Sequence, residues 1–103
     1  MAEKVSIDYD KENDSIFLYK KGNVKGSIDI GDFIVDLSPT GKILGIEILD
    51  ASKNFKVSKD LLSNIKKASL NVVYKRDVIQ IMAFLLLAKK LEIKTMIPIP
   101  ISS

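Results

Sequence analysis

The chain contains no cysteine, no histidine and no tryptophan. The lack of cysteine excludes disulfides, thiolate nucleophiles, zinc ribbons and iron–sulfur clusters. The lack of histidine excludes a histidine base, a Ser-His-Asp triad and a histidine metal site. These absences remove much of the usual catalytic machinery, and we expect neither a cofactor nor a bound metal.

The residues that are present fit one ordinary globular domain. A length of 103 residues, with 47% hydrophobic and 28% charged residues, is typical of a single folded domain. The net charge of +3 is unevenly distributed, because residues 1–50 carry a net of −4 and residues 51–103 a net of +7. Such a split is found in proteins that bind nucleic acid or anionic membranes, and equally where two halves attract each other within or between chains. We favour the second interpretation, since most charge patterns are solvated surface.

Two features of the sequence bear on localisation. The first twenty residues contain no apolar segment of the length that a secretory signal requires. The most apolar run, Val78–Ala88, has eleven residues, whereas a membrane span needs about 20. We therefore expect a cytoplasmic protein that does not insert into a membrane. The abundance of Ile and Lys is compatible with a thermophilic source.

Short alternating segments separated by turn residues fill the first half. All five glycines lie there, as does the Ser38–Gly41 turn, in which Pro and Gly occupy favoured positions. Alternation on the strand period predicts an antiparallel meander with short loops. The predicted strands are Val5–Asp10, Ser15–Lys20, Ser27–Ile30 (an edge), Phe33–Leu37 and Lys42–Leu49, the last with Ile43, Gly45 and Glu47 on one face and Leu44, Ile46 and Ile48 on the other.

The second half predicts one short helix followed by further strands. Ser58 is a good N-cap, and the cations Lys66 and Lys67 suit the carboxyl end of a helix, so the helix is placed at 58–67. Leu70–Tyr74 and Leu91–Ile101 are predicted strands, with a hairpin around 88–90. The run 78–87 is apolar on every face; we favour a strand, although a helix capped by Asp77 remains open. The fold class is thus α+β, a mostly antiparallel meander in a single domain, 1–103.

An all-apolar strand would have consequences for assembly. One antiparallel sheet with a single short helix covers one of its faces but hardly both. The uncovered face would be an exposed patch, which usually marks an interface, so we expect a homo-oligomer. The alternative is that the helix and the rest of the sheet fill that space within one chain. The candidate interface residues are Val78, Ile79, Ile81, Met82, Phe84, Leu85, Leu86, Leu87, Ile97 and Ile99.

Two segments of the first half resemble a known family. Tyr9–Tyr19 reads YDKENDSIFLY and Phe33–Ser52 reads FIVDLSPTGKILGIEILDAS. Together they resemble the family catalogued as domain of unknown function 2283, which implies a small intracellular bacterial or archaeal protein without an assigned activity. Some members look like partners of small toxin-like proteins, which suggests an antitoxin role. The resemblance covers 1–52 and leaves 53–103 as an extension. The matching residues, to which we assign structural roles, are Tyr9, Asp10, Asp14, Asp36, Gly41, Gly45, Glu47, Asp50 and Ser52.

Carboxylates supply two further candidate sites. Asp8, Asp10, Glu12 and Asp14 alternate as ligands do in a calcium loop, but Asn13 and Tyr19 stand where that loop needs Gly and Glu, so we prefer a solvated turn in which Asp10 or Asp14 bonds nearby backbone amides. Acid–base work would need carboxylates with separated pKa values. Asp36, Glu47 and Asp50 are the candidates for it, but no nucleophile, ligand set or phosphate loop accompanies them, and catalysis is the minor hypothesis.

A run of basic residues flanks the predicted helix. Nucleic-acid binding would need these cations on one surface together with exposed aromatic residues, and only Phe55 and Tyr74 are at hand. Arg, the usual reader of bases and phosphates, is nearly absent. The basic residues are Lys53, Lys56, Lys59, Lys66, Lys67, Lys75 and Arg76. The sequence therefore predicts a non-catalytic, self-associating structural or interaction module, with an antitoxin-like partner, a weak nucleic-acid binder and a carboxylate enzyme as alternatives.

Overall fold

The computed structural model describes residues 3–87 and 92–100, and within them the chain forms eight strands and two short helices. Strands dominate both halves, as expected from the alternation of apolar and polar residues. The first five strands precede the helices and the last three follow them. In chain order the elements are β1 (Glu3–Asp10), β2 (Ser15–Tyr19), β3 (Gly26–Ile30), β4 (Phe33–Leu37), β5 (Ile43–Ile48), α1 (Ala51–Phe55), α2 (Lys59–Leu62), β6 (Lys67–Tyr74), β7 (Val78–Leu86) and β8 (Glu92–Pro100).

All pairings between these strands are antiparallel, and the order across the sheet is β3-β4-β5-β2-β1-β6-β7-β8. β1 is shared between two halves of the sheet. Its residues Ser6–Asp10 pair with β2, whereas Glu3, Lys4 and Val5 pair with β6. We call β3-β4-β5-β2 with Ser6–Asp10 the N-terminal half-sheet, and β6-β7-β8 with the start of β1 the C-terminal half-sheet.

The sheet curls so that its two halves approach each other. β5 and β6 are three strand positions apart, which is about 14 Å in a flat sheet. Even so, the Ile43 amide donates to the Tyr74 hydroxyl at 3.1 Å. Ile43 begins β5 and Tyr74 ends β6, so this bond joins the two half-sheets across the bend.

One hydrophobic core fills the inside of the curl. Alternate residues of the strands face inward, and Ala51 and Leu62 bring the two helices onto the same cluster. Phe55, Leu61 and Ile65 pack at its margin. The core thus draws on both halves of the chain. The buried strand residues are Ile16, Leu18, Val35, Ile43, Ile46, Ile48, Ala68, Leu70, Ile81, Ala83, Leu85, Ile97 and Ile99, with Leu87 just beyond β7.

A β-bulge corrects the predicted faces of β5. Leu37 pairs with Ile43 and Asp36 with Gly45, so Leu44 is the extra residue on this strand. Strict alternation placed Ile43 on the face opposite Ile46. The bulge shifts the alternation by one residue and buries Ile43 in the core, while Leu44 is only half-buried.

The helical region also differs from the prediction of a single helix at 58–67. Ser58 is an N-cap as predicted, because its Oγ accepts from the Leu61 amide at 3.1 Å. The helix nevertheless ends at Leu62 rather than at the lysines. The Ser63 hydroxyl and the Asn64 amide group donate to carbonyls of the preceding turn, and such side-chain bonds compete with continuation of the helix. The helix Ala51–Phe55 was missed altogether.

The ambiguous segment 78–87 forms a strand over Val78–Leu86, as favoured, and this strand pairs with β6 on one side and β8 on the other. β8 is an edge strand whose proline ending was predicted. Pro98 and Pro100 lack amide donors, so they limit pairing of the outer edge with another strand. The predicted turn at 88–90 lies outside the described residues. In the part of the chain that is described, no helix is long and apolar enough to cross a bilayer.

Candidate functional site

A buried carboxylate lies where the β1–β2 turn meets the start of α1. Asp14 is 6% exposed, and its carboxylate accepts hydrogen bonds from β1 and from α1. The Tyr9 hydroxyl donates to Oδ1 at 2.7 Å. From the other side the Ser52 hydroxyl donates to Oδ2 at 2.6 Å, and the Ser52 amide donates to both carboxylate oxygens at 3.0 and 3.2 Å. We call these three residues the Asp14 cluster.

The Asp14 cluster holds its charge by hydrogen bonding. Burial alone would raise the pKa of Asp14, but the bonds from Ser52 and Tyr9, with a contribution from the nearby Lys59 charge, outweigh it and lower that pKa below the ordinary value. The pKa of Tyr9 is raised to about 12, because its hydroxyl is buried and donates to the charged Asp14. The cluster is therefore a neutral phenol bound to an ionised carboxylate at neutral pH.

Asp14 also replaces the missing cap of α1. Asp50 occupies the N-cap position in a left-handed conformation (φ 48°), and its side chain makes no capping bond. The first two amides of the helix are bound by Asp14 instead, the Ala51 amide to its carbonyl at 2.9 Å and the Ser52 amide to its carboxylate. Asp14 is itself left-handed (φ 53°), a conformation that Asp adopts more readily than most residues.

The part of the chain that contains the Asp14 cluster matches a known protein family. Residues 6–52, which contain the whole Asp14 cluster, match the model of a family described as protein of unknown function, DUF2283. Uncharacterized protein MJ0789 of Methanocaldococcus jannaschii is 44% identical over 95 residues, covering 88% of this chain and 82% of that protein. The chain belongs to this family.

A second relative is shorter in its match. A Methanosarcina mazei protein named "Putative hypoxanthine phosphoribosyltransferase" is 48% identical over 60 residues, which is 57% of this chain. The match spans 49% of that protein, about half its length. No solved structure is significantly similar to the chain. The family assignment thus rests on a relative that matches 88% of this chain, and it assigns no reaction.

Gly45, within the DUF2283 segment, lies under an aromatic pair on the outer face of the sheet. The rings of Phe17 and Tyr19 stack with centroids 4.8 Å apart. A Cβ on Gly45 would come within 2.9 Å of the Leu18 carbonyl oxygen, 3.3 Å of the Phe17 ring and 3.4 Å of the Tyr19 Cβ. Close approach of β2 to β5 therefore requires glycine here, whereas Gly41 serves its turn through a positive φ of 83°.

The other sequence-predicted acids have partners or positions outside the Asp14 cluster. Asp36 accepts from the Ser27 hydroxyl at 2.7 Å, Glu47 is half-buried between Phe17 and Ile34, and Asp50 is exposed at the start of α1. Asp10 does bond a nearby backbone amide, as predicted for the turn, through Asn13 at 3.1 Å. Within residues 3–87 and 92–100, no group of three or more acidic side chains could hold a metal ion.

The basic run is divided between two regions of the molecule. Lys53, Lys56 and Lys59 lie on or beside the helices, and Lys66 and Lys67 lie where β6 begins. Lys75 and Arg76 lie in the β6–β7 turn, and the eight residues of β6 separate the two groups by roughly 26 Å. Of the two aromatic residues considered, Phe55 packs against the core, whereas Tyr74 is 53% exposed and its hydroxyl accepts from the Ile43 amide. The continuous surface that this hypothesis needs is not formed by these residues.

The candidate interface residues divide by face. Six of them face inward. The core of the same chain buries Ile81, Leu85, Leu87, Ile97 and Ile99, and Ile79 packs against it. On the inner face, therefore, the apolar residues are covered within one chain, which was the alternative to an oligomer interface. The outward set is Val78, Met82, Phe84 and Leu86 on β7. Sequence reasoning missed two neighbours that extend it, Val73 of β6 (39% exposed) and Met96 of β8 (56% exposed).

Proposed function

We propose that this protein is a non-catalytic module that self-associates through the outer face of its C-terminal half-sheet. The observation that supports the proposal is a half-buried apolar strip on the outer face of β7, next to the exposed Met96 and Val73. Met82 pairs with Met96 across β7 and β8, and Phe84 and Leu86 follow on the same face of β7. Apolar side chains that stay partly exposed on an uncovered sheet face are typical of protein interfaces.

The chemistry of the Asp14 cluster agrees with a structural role for the family residues. Its carboxylate is occupied by four hydrogen bonds, and those bonds lower its pKa, which makes it a poor general base. Asp36 and Glu47 lie on the outer face of the paired strands β4 and β5, and Asp50 lies at the start of α1 with no side-chain capping bond. We therefore assign these acids to folding and to the surface rather than to a reaction.

Sedimentation velocity over the micromolar range tests the proposal. We expect the parent protein to self-associate, and Val73→Glu and Met96→Glu to weaken that association, because each places a charge on the proposed interface. Both positions are exposed in the single chain, so folding should tolerate either substitution. Val24→Glu is the matched control: Val24 is 53% exposed in the loop before β3, away from this face. A parent protein that stays monomeric would refute the proposal.

A further inference from the structure

The outer faces of the two half-sheets carry opposite charge. On the N-terminal half-sheet, cross-strand pairing lines up Asp8, Phe17, Glu47, Ile34 and Asp29 in one row across β1, β2, β5, β4 and β3. Asp10 and Asp36 lie on the same face. Among the described residues, no outward position of these strands is Lys or Arg. We call this surface the acidic face.

The C-terminal half-sheet presents a mostly basic pattern, which also includes one carboxylate, Glu92, 3.8 Å from the Lys94 ammonium. Lys4, Ser69, Phe84 and Lys94 form one cross-strand row over β1, β6, β7 and β8. Lys67 lies beside this row and lines a shallow cleft of about 200 Å³ together with Lys4 and Phe84. The Lys94 ammonium lies 5.9 Å from the centre of the Phe84 ring. We call this surface, with its apolar residues, the basic face.

The acidic face also offers an aromatic platform for a cation. Phe17 and Tyr19 are 37% and 38% exposed, stacked on each other above Gly45. Asp8 and Glu47 flank Phe17 on the neighbouring strands. Aromatic rings attract a lysine ammonium placed over them, and adjacent carboxylates add to that attraction. A lysine from the basic face of another copy has the chemistry that this platform would bind.

The size of each face indicates that one contact is too small for a stable assembly. Three strands about 4.8 Å apart and about eight residues long present roughly 400 Å² on the basic face, and the shorter strands of the acidic face present a similar area. A stable interface buries about 800 Å² on each partner. In a two-fold dimer, in which the acidic and basic faces of each copy contact the basic and acidic faces of the other, the two contacts together reach that size.

We infer that the occupant of the basic face is the acidic face of a second copy of this chain, with Lys4, Lys67 and Lys94 of one copy opposite Asp8, Asp29 and Glu47 of another. This inference rests on the self-association proposed above and specifies its orientation. The −4 and +7 halves of the sequence would then be complementary between chains. The association should weaken as salt is raised, because exposed charges are screened.

Charge reversal with complementation tests this orientation. A basic-face variant carries Lys4→Glu, Lys67→Glu and Lys94→Glu, and an acidic-face variant carries Asp8→Lys, Asp29→Lys and Glu47→Lys. In sedimentation velocity we expect each variant alone to lose association and their equimolar mixture to regain it. A control variant, Lys53→Glu, Lys56→Glu and Lys75→Glu, has the same change in net charge away from both faces and should associate as the parent does. If a reversed variant does not fold, the matching Gln and Asn substitutions at the same positions should weaken association.

The possible outcomes separate the two proposals. A parent that associates, with both reversed variants associating equally well, overturns the orientation and leaves self-association standing. A mixture that remains monomeric also overturns the orientation. A monomeric parent overturns both proposals. Binding of single-stranded RNA by the parent, lost in the basic-face variant but not in the control, would assign the basic face to nucleic acid and overturn the inference.

Discussion

Asp14 connects three parts of the family segment, because from the β1–β2 turn it accepts hydrogen bonds from both β1 and α1. Its four hydrogen bonds come from Tyr9 and Ser52, which lie 5 and 38 residues away in the sequence. Because it is buried, loss of its charge leaves these donors poorly bound. The family residues Tyr9, Asp14 and Ser52 are thus explained by one local network.

Asp14→Asn should destabilise the protein by about 1–3 kcal/mol at neutral pH, because Asn keeps the left-handed conformation but loses the charged acceptor. Since the folded-state pKa of Asp14 is below its ordinary value of 3.8, the stability that its charge contributes is present above that value and is lost as the pH falls through the folded pKa. Urea unfolding at neutral and acidic pH should show a smaller acid loss in the variant than in the parent. An equal loss in both would contradict this role.

Tyr9 should ionise at a higher pH than an ordinary tyrosine. Its pKa of about 12 lies above the ordinary value of 10.0, so the stability from its neutral form is complete below pH 10 and is lost as the pH rises through about 12. A spectrophotometric titration should show a late phase that Tyr9→Phe removes. Tyr19→Phe, which alters an exposed ring on the outer face, should leave that phase intact. A late phase that survives in Tyr9→Phe would count against the assignment.

Gly45→Ala should cost about 1–3 kcal/mol, because the new methyl group meets the Leu18 carbonyl oxygen and β2 must move away. Gly26→Ala is the control. Nothing lies within 4 Å of a Cβ at Gly26, which also lies in a strand, so that change should be nearly neutral or slightly stabilising. The measurement is the free energy of unfolding of the two variants against the parent. Equal free energies of unfolding for the two variants would show that the close approach of β2 to β5 does not require glycine at position 45.

At the scale of elements, the sequence predicted strands far better than helices. Every predicted strand is present, because the alternation of inward and outward side chains can be recognised within one short segment such as Phe33–Leu37. α1 was missed since its cap is Asp14, distant in sequence, and Asp50 makes no capping bond of its own. The prediction of which β5 residues face the core was wrong, because the alternation of apolar and polar residues does not reveal the bulge at Leu44. Local rules thus failed where a distant partner or an extra residue decides the geometry.

Tyr74→Phe should weaken the junction between β5 and β6. The variant keeps the ring but removes the hydroxyl that accepts from the Ile43 amide, so we expect a loss of about 1 kcal/mol in the free energy of unfolding. Hydrogen exchange gives a local readout, because the Ile43 amide should exchange faster in the variant than in the parent. Unchanged exchange at Ile43 would mean that the bond does not form in solution.

At the scale of the whole molecule, the segment that matches the family model is smaller than the part of the chain that shares one hydrophobic core. The family model covers 6–52, yet the inner face of that segment packs against residues contributed by α2, β7 and β8. The sequence indicated one domain from length and composition, but could not show that Leu85 and Ile97 share a core with Leu18 and Ile46. That contact follows from the curl, which depends on how β1 divides its pairing between two neighbours.

Leu85→Ala should therefore destabilise both half-sheets together. Leu85 is fully buried in the shared core, and its truncation should cost about 2–5 kcal/mol. If the chain unfolds as one unit, native-state hydrogen exchange of slow amides in β2 and β5 should lose as much protection as those in β6 and β7. Val24→Ala, at an exposed position away from the proposed interface, should have little effect on either. Loss of protection confined to β6, β7 and β8 would instead mean that the segment 6–52 folds as an independent unit, to which the last three strands are attached.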